Sequence, residues 1–330
     1  MKSVIRCACM MALVVLAFTA CKKNEQNEPK KTTFTASTPQ LEYEGDDRVY
    51  FALDDPSRRI VFEPGDMCML FNINESEPWR SNCATYEAIQ EGNDVEFRNC
   101  GLGEVALERQ DAFYVVYPGG PGCTQTELSS GENKSRFYVS PNQEYSQGII
   151  NIGLPNMYMF GKVDDVDELG DVHFQFHYLS GILGIKAYEA AQRRLTEIKI
   201  VDNYFDLSGW VEVILPQFDW VEFVSMYNRY DLDNPDYLEE LEAYKQRIGY
   251  QMYDASNTFT LNIPDGVQLG NSNASTTCFY ITLRPLALLL GGHVVFTFDD
   301  GSQKEVEIPA HALTSAPGVI KRVTINLDGF

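Results

Sequence analysis

Positive charge is scarce in this chain. The sequence holds 26 Lys and Arg against 47 Asp and Glu, which gives a formal net charge of −21. Nucleic-acid phosphates and anionic lipid headgroups would both repel such a body. The charge balance therefore argues against a nucleic-acid partner and against adsorption to headgroups, and we read the excess acid as a source of solubility outside the cell.

Signatures of catalysis are also lacking. The sequence contains no Gly-x-Ser-x-Gly elbow, no phosphate-binding Gly-x-x-x-x-Gly-Lys loop and no His-Glu-x-x-His zinc motif. Of only four histidines, His173 and His177 share one face of a predicted strand without a third ligand, which favours packing or hydrogen bonding over metal binding. Residues 165–176 resemble a calcium loop but place Leu169 and Phe176 where ligands are needed. We expect a protein that is not an enzyme and holds no metal or cofactor.

Long apolar runs are absent except at the start of the chain. Lys2 and Arg6 precede an uncharged stretch at 7–20, too short to span a bilayer, which takes about 20 residues. A charged start followed by such a run is typical of a secretory signal. Small residues then precede Cys21, and polar residues follow it, as in a bacterial lipoprotein. We predict a signal peptide at 1–20, acylation of Cys21 as a membrane anchor, and a tether at 21–32. Lys22 favours sorting to the outer membrane over retention. We also expect the anchored protein to be exposed at the cell surface.

The cysteines do not form a metal or redox motif, because no pair has C-x-x-C spacing. Once the signal is removed and Cys21 is acylated, one cysteine stands apart at Cys278, in strand-like residues, and we expect it to be buried and unpaired. The other four lie close together: Cys68, Cys83, Cys100 and Cys123. Disulfides persist in exported proteins, and four cysteines allow three pairings, between which the sequence does not choose.

Two-residue alternation of apolar and polar side chains dominates the mature chain. Prolines and glycines at 118–122 and a tight turn at 299–302 separate strand-like segments. This pattern predicts an all-β protein of two antiparallel β-sandwich domains, divided by the acidic stretch at 163–171 into 33–165 and 170–330. Predicted strands lie at 67–73, 112–117, 172–178, 196–201, 258–263, 279–283, 293–298, 305–308 and 322–327.

One helix interrupts the strands of the second domain. Asn234 offers an N-cap, Pro235 stands at the first helical position, and helix formers continue to 247. We therefore predict a helical insertion at 234–247.

Aromatic residues cluster between 210 and 253, in and around this insertion. They either fill a sandwich core or form a recognition surface, and we favour the core, with the tyrosines of the insertion as the best exposed. On the second reading the candidate ligand-binding residues are Trp210, Trp220, Tyr227 and Tyr230, which would capture a glycan on their rings.

Several short motifs, in the same order along the chain, resemble the fimbrillin-like family of type V pilus subunits and related adhesins. They are 34–37 (Phe-Thr-Ala-Ser), Arg48, 62–66 (Phe-Glu-Pro-Gly-Asp), 113–118 (ending in Tyr-Pro), and 174–185, where a His precedes a small residue and an apolar strand. The resemblance implies two β-sandwich domains of transthyretin-like topology in an outer-membrane lipoprotein.

The resemblance also implies a mode of assembly. In the stalk subunits of that family, a protease cuts after an Arg or Lys near the N-terminus and removes the first strand, and a strand of a neighbouring subunit fills the groove. Arg48 is the corresponding candidate here, although Lys31, Arg58 and Arg59 offer similar sites. A tip or anchor subunit would not need the cut, and Arg48 is equally readable as a solvent-facing residue.

These observations predict an outer-membrane lipoprotein that acts as a pilus subunit or surface adhesin. Its partners would be other pilus subunits through strand exchange, a host or microbial surface ligand, and the membrane through the lipid. The C-terminal strand at 322–327 either completes its own sandwich or is donated to a partner. The alternative is a surface glycan-binding lipoprotein that uses exposed aromatics.

Overall fold

The computed structural model describes residues 33–38, 42–44, 61–72, 83–101, 105, 113–119, 126–129, 134–145, 158–163, 172–214, 217–228, 236–284, 290–310, 312 and 317–330. The strands of the first half are β1 (Thr33–Ser37), β2 (Glu42–Glu44), β3 (Met67–Asn72), β4 (Cys83–Ala88), β5 (Asp94–Asn99), β6 (Phe113–Tyr117), β7 (Thr126–Ser129), β8 (Lys134–Val139), β9 (Asn142–Glu144) and β10 (Met159–Val163).

The second half adds further strands and two helices. The strands are β11 (His173–Gln175), β12 (His177–Tyr178), β13 (Gly181–Tyr188), β14 (Arg194–Asp202), β15 (Ser208–Ile214), β16 (Gln251–Ser256), β17 (Thr258–Gln268), β18 (Cys278–Leu283), β19 (Gly292–Phe298), β20 (Gln303–Ile308) and β21 (Val319–Asn326). The helices are α1 (Trp220–Asn228) and α2 (Asp236–Arg247). The predicted all-β fold with a helical insertion is confirmed.

The described residues form four sheets. Sheet I has the order β11-β1-β5-β4-β3-β6-β10-β12, sheet II β18-β13-β21-β2, sheet III β20-β19-β14-β17-β9, and sheet IV β16-β15-β8-β7. Most neighbouring strands are antiparallel, as predicted, but β1–β11, β2–β21, β9–β17 and β13–β21 pair in parallel. The C-terminal strand β21 completes sheet II of its own chain, beside β13.

Sheet I nearly closes on itself. The segment predicted as one strand at 172–178 forms two short strands separated by Phe176, and these pair at opposite ends of the sheet. Gly161 in β10 permits the closure, because a Cβ there would lie 3.1 Å from Val115 Cγ1 and 3.2 Å from the backbone oxygen of Gln175. The alternation predicted for this segment holds, with Phe174, Phe176 and Tyr178 buried.

The described residues form three apolar cores. The first fills the interior of sheet I with aromatic rings such as Phe62, Tyr86 and Phe97, and Ile182 and Ile320 of sheet II complete it. The second lies between sheets II and III and is largely aliphatic. Burial of these apolar side chains is the main stabilising contribution to the fold.

A third core covers the other face of sheet I with sheet IV and the two helices. Phe223 of α1 and both Tyr237 and Tyr244 of α2 pack in it, together with Val211 of β15. The expectation that the tyrosines of the helical insertion would be the exposed ones is therefore wrong for Tyr237 and Tyr244, which are 2% and 4% exposed. The Tyr237 hydroxyl donates to the backbone oxygen of Met226, and the Tyr244 hydroxyl donates to that of Asp219. Each ring is therefore buried with its hydroxyl hydrogen-bonded.

The acidic stretch at 164–171 lies outside the described residues, and the division into 33–165 and 170–330 stays a prediction. Described strands from its two sides pair with each other in five places: β1 with β11, β2 with β21, β8 with β15, β9 with β17 and β10 with β12. The two halves of the sequence are therefore interleaved in all four of these sheets.

Cys68, Cys83, Cys100 and Cys278 form no disulfide with one another in the described part of the chain. Cys68 on β3 faces the first core and Cys83 on β4 faces the third, so their side chains point to opposite faces of one sheet and cannot be bridged. Cys100 instead donates its Sγ hydrogen to the backbone oxygen of Thr85 at 3.3 Å. The expectation of disulfides among Cys68, Cys83 and Cys100 is therefore wrong, and Cys123 lies outside the described residues. Cys278 is unpaired, as predicted, but half-buried.

Candidate functional site

The candidate site is the groove of sheet I between β5 and β11 that β1 occupies, which we call the seat of β1. β1 is the described segment closest to the N-terminus. β1 lies between two strands of sheet I, antiparallel to β5 and parallel to β11. Thr35 donates its backbone N–H to Val172, and Ser37 accepts from Phe176, each at 3.0 Å. Because both of its edges are paired, β1 is an interior strand although it begins the described chain.

The inward side chains of β1 are Phe34 and Ala36, which are 2% and 0% exposed. The Phe34 ring packs against Tyr86, Phe97 and Phe174, with centroid separations of 4.9, 5.3 and 5.0 Å. Burial of one such ring contributes about 1.5–3 kcal/mol. Without β1, the first core would be open to solvent between β5 and β11.

The outward side chains of β1 form a polar contact with β11. Thr35 Oγ1 lies 2.8 Å from Nδ1 of His173, and Ser37 Oγ lies 3.1 Å from its Nε2. Gln175 also donates its side-chain N–H to the backbone oxygen of Thr38 at 3.3 Å. Hydroxyls both donate and accept, so they satisfy the imidazole in either tautomer. His173 is thus a hydrogen-bonding residue, as predicted, and its partners are on β1.

The second N-terminal strand, β2, has a different place. It pairs in parallel with the C-terminal strand β21 at the edge of sheet II, with Tyr43 opposite Ile320. The described residues before position 48 therefore contribute one interior strand to sheet I and one edge strand to sheet II.

Within the described residues, the four predicted ligand-binding residues are not seen together on one surface. Trp210 is half-buried on β15, and its ring lies 5.1 Å from that of Tyr138 at 44°, so the two rings are not coplanar. Trp220 and Tyr227 lie on α1, and nothing is described of their side chains. Tyr230 lies outside the described residues, as do the candidate processing site Arg48 and the candidate lipidation site Cys21.

Other signs of a ligand are few. Within the described residues, no group of three His, Cys, Asp or Glu side chains is placed to hold a metal ion. The same part of the chain has no helix that is long and apolar enough to cross a membrane. Burial lowers the pKa of His177 on β12. This partial burial is consistent with the packing role predicted for His177.

Sequence reasoning identified 34–37 as a family motif but not what holds it. The alternation of Phe34 and Ala36 with Thr35 and Ser37 was a usable signal for a strand with one buried face. Its neighbours could not be found in this way, because β11 lies more than a hundred residues further along the chain.

Comparison with solved structures concerns the whole described body. A proposed cell adhesion protein from Bacteroides uniformis aligns with 91% of this chain and 94% of its own, with a TM-score of 0.50 and 14% identity. Another, from Bacteroides ovatus, aligns over 89% and 92%, with a TM-score of 0.50 and 10% identity. The chain has the fold of these adhesion proteins.

This fold agrees with the fimbrillin-like resemblance of the sequence motifs. At a lower TM-score of 0.41, a fimbrial protein from Bacteroides ovatus aligns with 89% of this chain and 49% of its own, with 11% identity. No protein-family model matches the sequence, and no curated protein matches it.

Proposed function

We propose that this protein is an outer-membrane lipoprotein that acts as a pilus subunit or surface adhesin and assembles by strand exchange. In this proposal a protease cuts after Arg48, which releases the lipidated N-terminal segment together with β1 and β2. A strand from a neighbouring subunit then takes the vacated place beside β5 and β11.

The position of β1 carries the proposal. Loss of an interior strand leaves the backbone groups of two neighbours unpaired, and such edges readily pair with another chain. The groove between them is lined by Tyr86, Phe97 and Phe174, so an incoming strand with apolar residues at alternate positions would be bound by main-chain hydrogen bonds and by ring packing.

A disulfide between β1 and β5 offers a direct test. Thr35 and Glu96 are antiparallel partners with outward-facing side chains, and partners of this kind have Cα atoms about 4.5–5.5 Å apart, within the range that a disulfide spans. We would treat the complete mature chain, made without lipid as Cys21→Ser, with trypsin, map the cut by mass spectrometry and follow size by gel filtration.

The expected result is a ladder of oligomers for the parent chain and a monomer for Thr35→Cys/Glu96→Cys, because the cut strand stays tethered in its seat. Reduction of the disulfide should restore the ladder. Arg48→Ala should reduce trimming at that position and with it the amount of oligomer. A parent chain that stays monomeric after a confirmed cut at Arg48, or a locked chain that polymerises while oxidised, contradicts strand exchange.

A further inference from the structure

A cavity of about 260 Å³ opens where α2 meets the loop after β14. Tyr204, Phe205 and Asp206 of that loop form one wall, the last turns of α2 form another, and Tyr250, Met252 and Arg284 complete it. None of these residues belongs to the seat of β1. The cavity is slightly smaller than the 300–1,000 Å³ typical of pockets for drug-sized ligands, so it suits a single small ring.

The loop that carries Tyr204 is fixed by a buried carboxylate. Asp202, 0% exposed, accepts the backbone N–H groups of Tyr204 and Phe205 at 2.8 and 2.9 Å. Asp202 is itself paired with Asn257, whose side chain donates to its backbone oxygen at 3.1 Å. The Tyr204 ring is therefore presented by a rigid turn, and yet it is 67% exposed. An exposed aromatic ring fixed in this way offers a flat apolar face to a ligand at the edge of the cavity.

The base of the cavity carries a buried guanidinium. Arg284 is 4% exposed, donates from Nε to the backbone oxygen of Asp206, and lies 5.7 Å above the Phe205 ring. It holds the second and third residues of the loop in place from below. The loop is thus anchored from two directions, by Asp202 and by Arg284.

The helix side supplies charged and amide groups that both donate and accept. Lys245 pairs with Glu242 at 2.6 Å, and its ammonium lies 5.8 Å from the centroid of the Tyr250 ring. Gln246 stands beside them at the rim. The cations Lys245 and Arg284 are balanced by the carboxylates of Glu242 and Asp206, so the cavity has no excess charge of either sign that would select an ionic ligand.

We propose that this cavity binds one neutral hexose unit of a surface glycan. A sugar ring has an apolar C–H face and a rim of hydroxyls. The Tyr204 ring can stack on the apolar C–H face of the sugar. The side chains of Glu242, Lys245 and Gln246 can accept hydrogen bonds from its hydroxyls and donate hydrogen bonds to them. This inference rests on the proposed adhesin role and gives that role a ligand class. It places the glycan on other residues than Trp210, Trp220, Tyr227 and Tyr230.

The test uses the complete mature chain as Cys21→Ser, fluorescently labelled, on an array of neutral and acidic glycans. The strongest neutral glycan is then titrated by calorimetry. We expect Tyr204→Ala to weaken binding at least tenfold and Tyr204→Phe to stay within about twofold, because the ring and not the hydroxyl makes the stacking face. Tyr253→Ala is the matched control, since this ring is also exposed but lies outside the cavity, and it should bind like the parent chain.

Three outcomes would overturn the assignment: no neutral glycan bound, binding of acidic glycans alone, or binding that Tyr204→Ala leaves unchanged while circular dichroism shows a folded protein. The polymerisation test is independent of this one, because Tyr204 is far along the chain from β1 and needs no cut. A chain that polymerises but binds no sugar would support the pilus role and contradict the sugar-binding cavity. A chain that binds the sugar but stays monomeric after the cut would support the cavity and contradict strand exchange.

Discussion

The ionisation of Glu189 is strongly shaped by the fold. Its side chain is 3% exposed and receives two hydrogen bonds from Arg193, at 2.9 and 2.6 Å, and an ion pair from Lys304 at 2.9 Å. The hydrogen bonds of Arg193 above all lower the pKa of Glu189 to about 2. This cluster joins the turn between β13 and β14 to the β19–β20 hairpin, which Arg193 also reaches through Ser302.

The pH dependence of stability should report this cluster. The pKa of Glu189 is lower in the folded state than its ordinary value of 4.5, so its contribution is complete above about pH 4.5 and is lost as the pH falls toward 2. Glu189→Gln should lower the free energy of unfolding at pH 7 by on the order of 2–3 kcal/mol. Denaturant midpoints at pH 7, 4 and 2.5 would measure it, and the gap between parent and variant should shrink at the lowest pH.

Glu305→Gln is the matched control, because Glu305 is an exposed carboxylate on the neighbouring strand β20. It should change stability little at any of the three pH values. If the stability difference between the parent chain and Glu189→Gln were the same at pH 2.5 as at pH 7, the stabilising role assigned to the Glu189 carboxylate would be contradicted.

At the scale of the element, β1 depends on one buried ring. Phe34→Ala should lower the free energy of unfolding of the uncut chain by about 3–5 kcal/mol, because it removes the ring that fills the space between Tyr86, Phe97 and Phe174. Thr35→Ala, one residue further on the outward face, should cost about 1 kcal/mol, the value of one exposed hydrogen bond to His173. Chemical denaturation monitored by tryptophan fluorescence would measure both.

The informative quantity is the ratio between the losses in free energy of unfolding caused by Phe34→Ala and by Thr35→Ala. Equal losses would mean that polar contacts and not ring packing hold β1, and the groove left by its removal would then bind an incoming strand weakly.

Strands were predictable from the sequence because alternation is a local property. The segments at 293–298 and 279–283 show it clearly, and the structure has β19 and β18 there. Helix α1 was missed, although a signal was present: Asp219 accepts the backbone N–H of Glu222 and caps the first turn.

Pairing was not predictable, because it is set by contacts between distant parts of the chain. Nothing near β21 in sequence indicates that it pairs in parallel with both β13 and β2. The cysteine spacing likewise suggested disulfides, but the strand parity that turns Cys68 and Cys83 to opposite faces of sheet I decides against a bridge between them. The motif at 34–37 and Arg48 came from family resemblance, whereas the cavity beside Tyr204 depends on the turn fixed by Asp202.

At the scale of the whole molecule, the body and its proposed anchor have separate physical roles. The full sequence carries a formal net charge of −21, so anionic lipid headgroups do not attract the protein. In the proposed arrangement the stable attachment comes from acyl chains on Cys21, which contribute about 0.8 kcal/mol for each buried methylene. The membrane association of this protein should therefore depend on the thiol of Cys21 alone.

Cys21→Ala should move the protein from the membrane fraction to the soluble fraction of cells that export it, because no acyl chain can then be attached. Cys278→Ala, which removes a half-buried thiol on β18, should leave the protein with the membranes. Fractionation followed by immunoblotting would measure both, and metabolic labelling with a fatty acid should mark the parent chain and Cys278→Ala but not Cys21→Ala. A Cys21→Ala chain that still sediments with membranes would show that another surface of the body binds them, and the lipid-anchored arrangement would have to be abandoned.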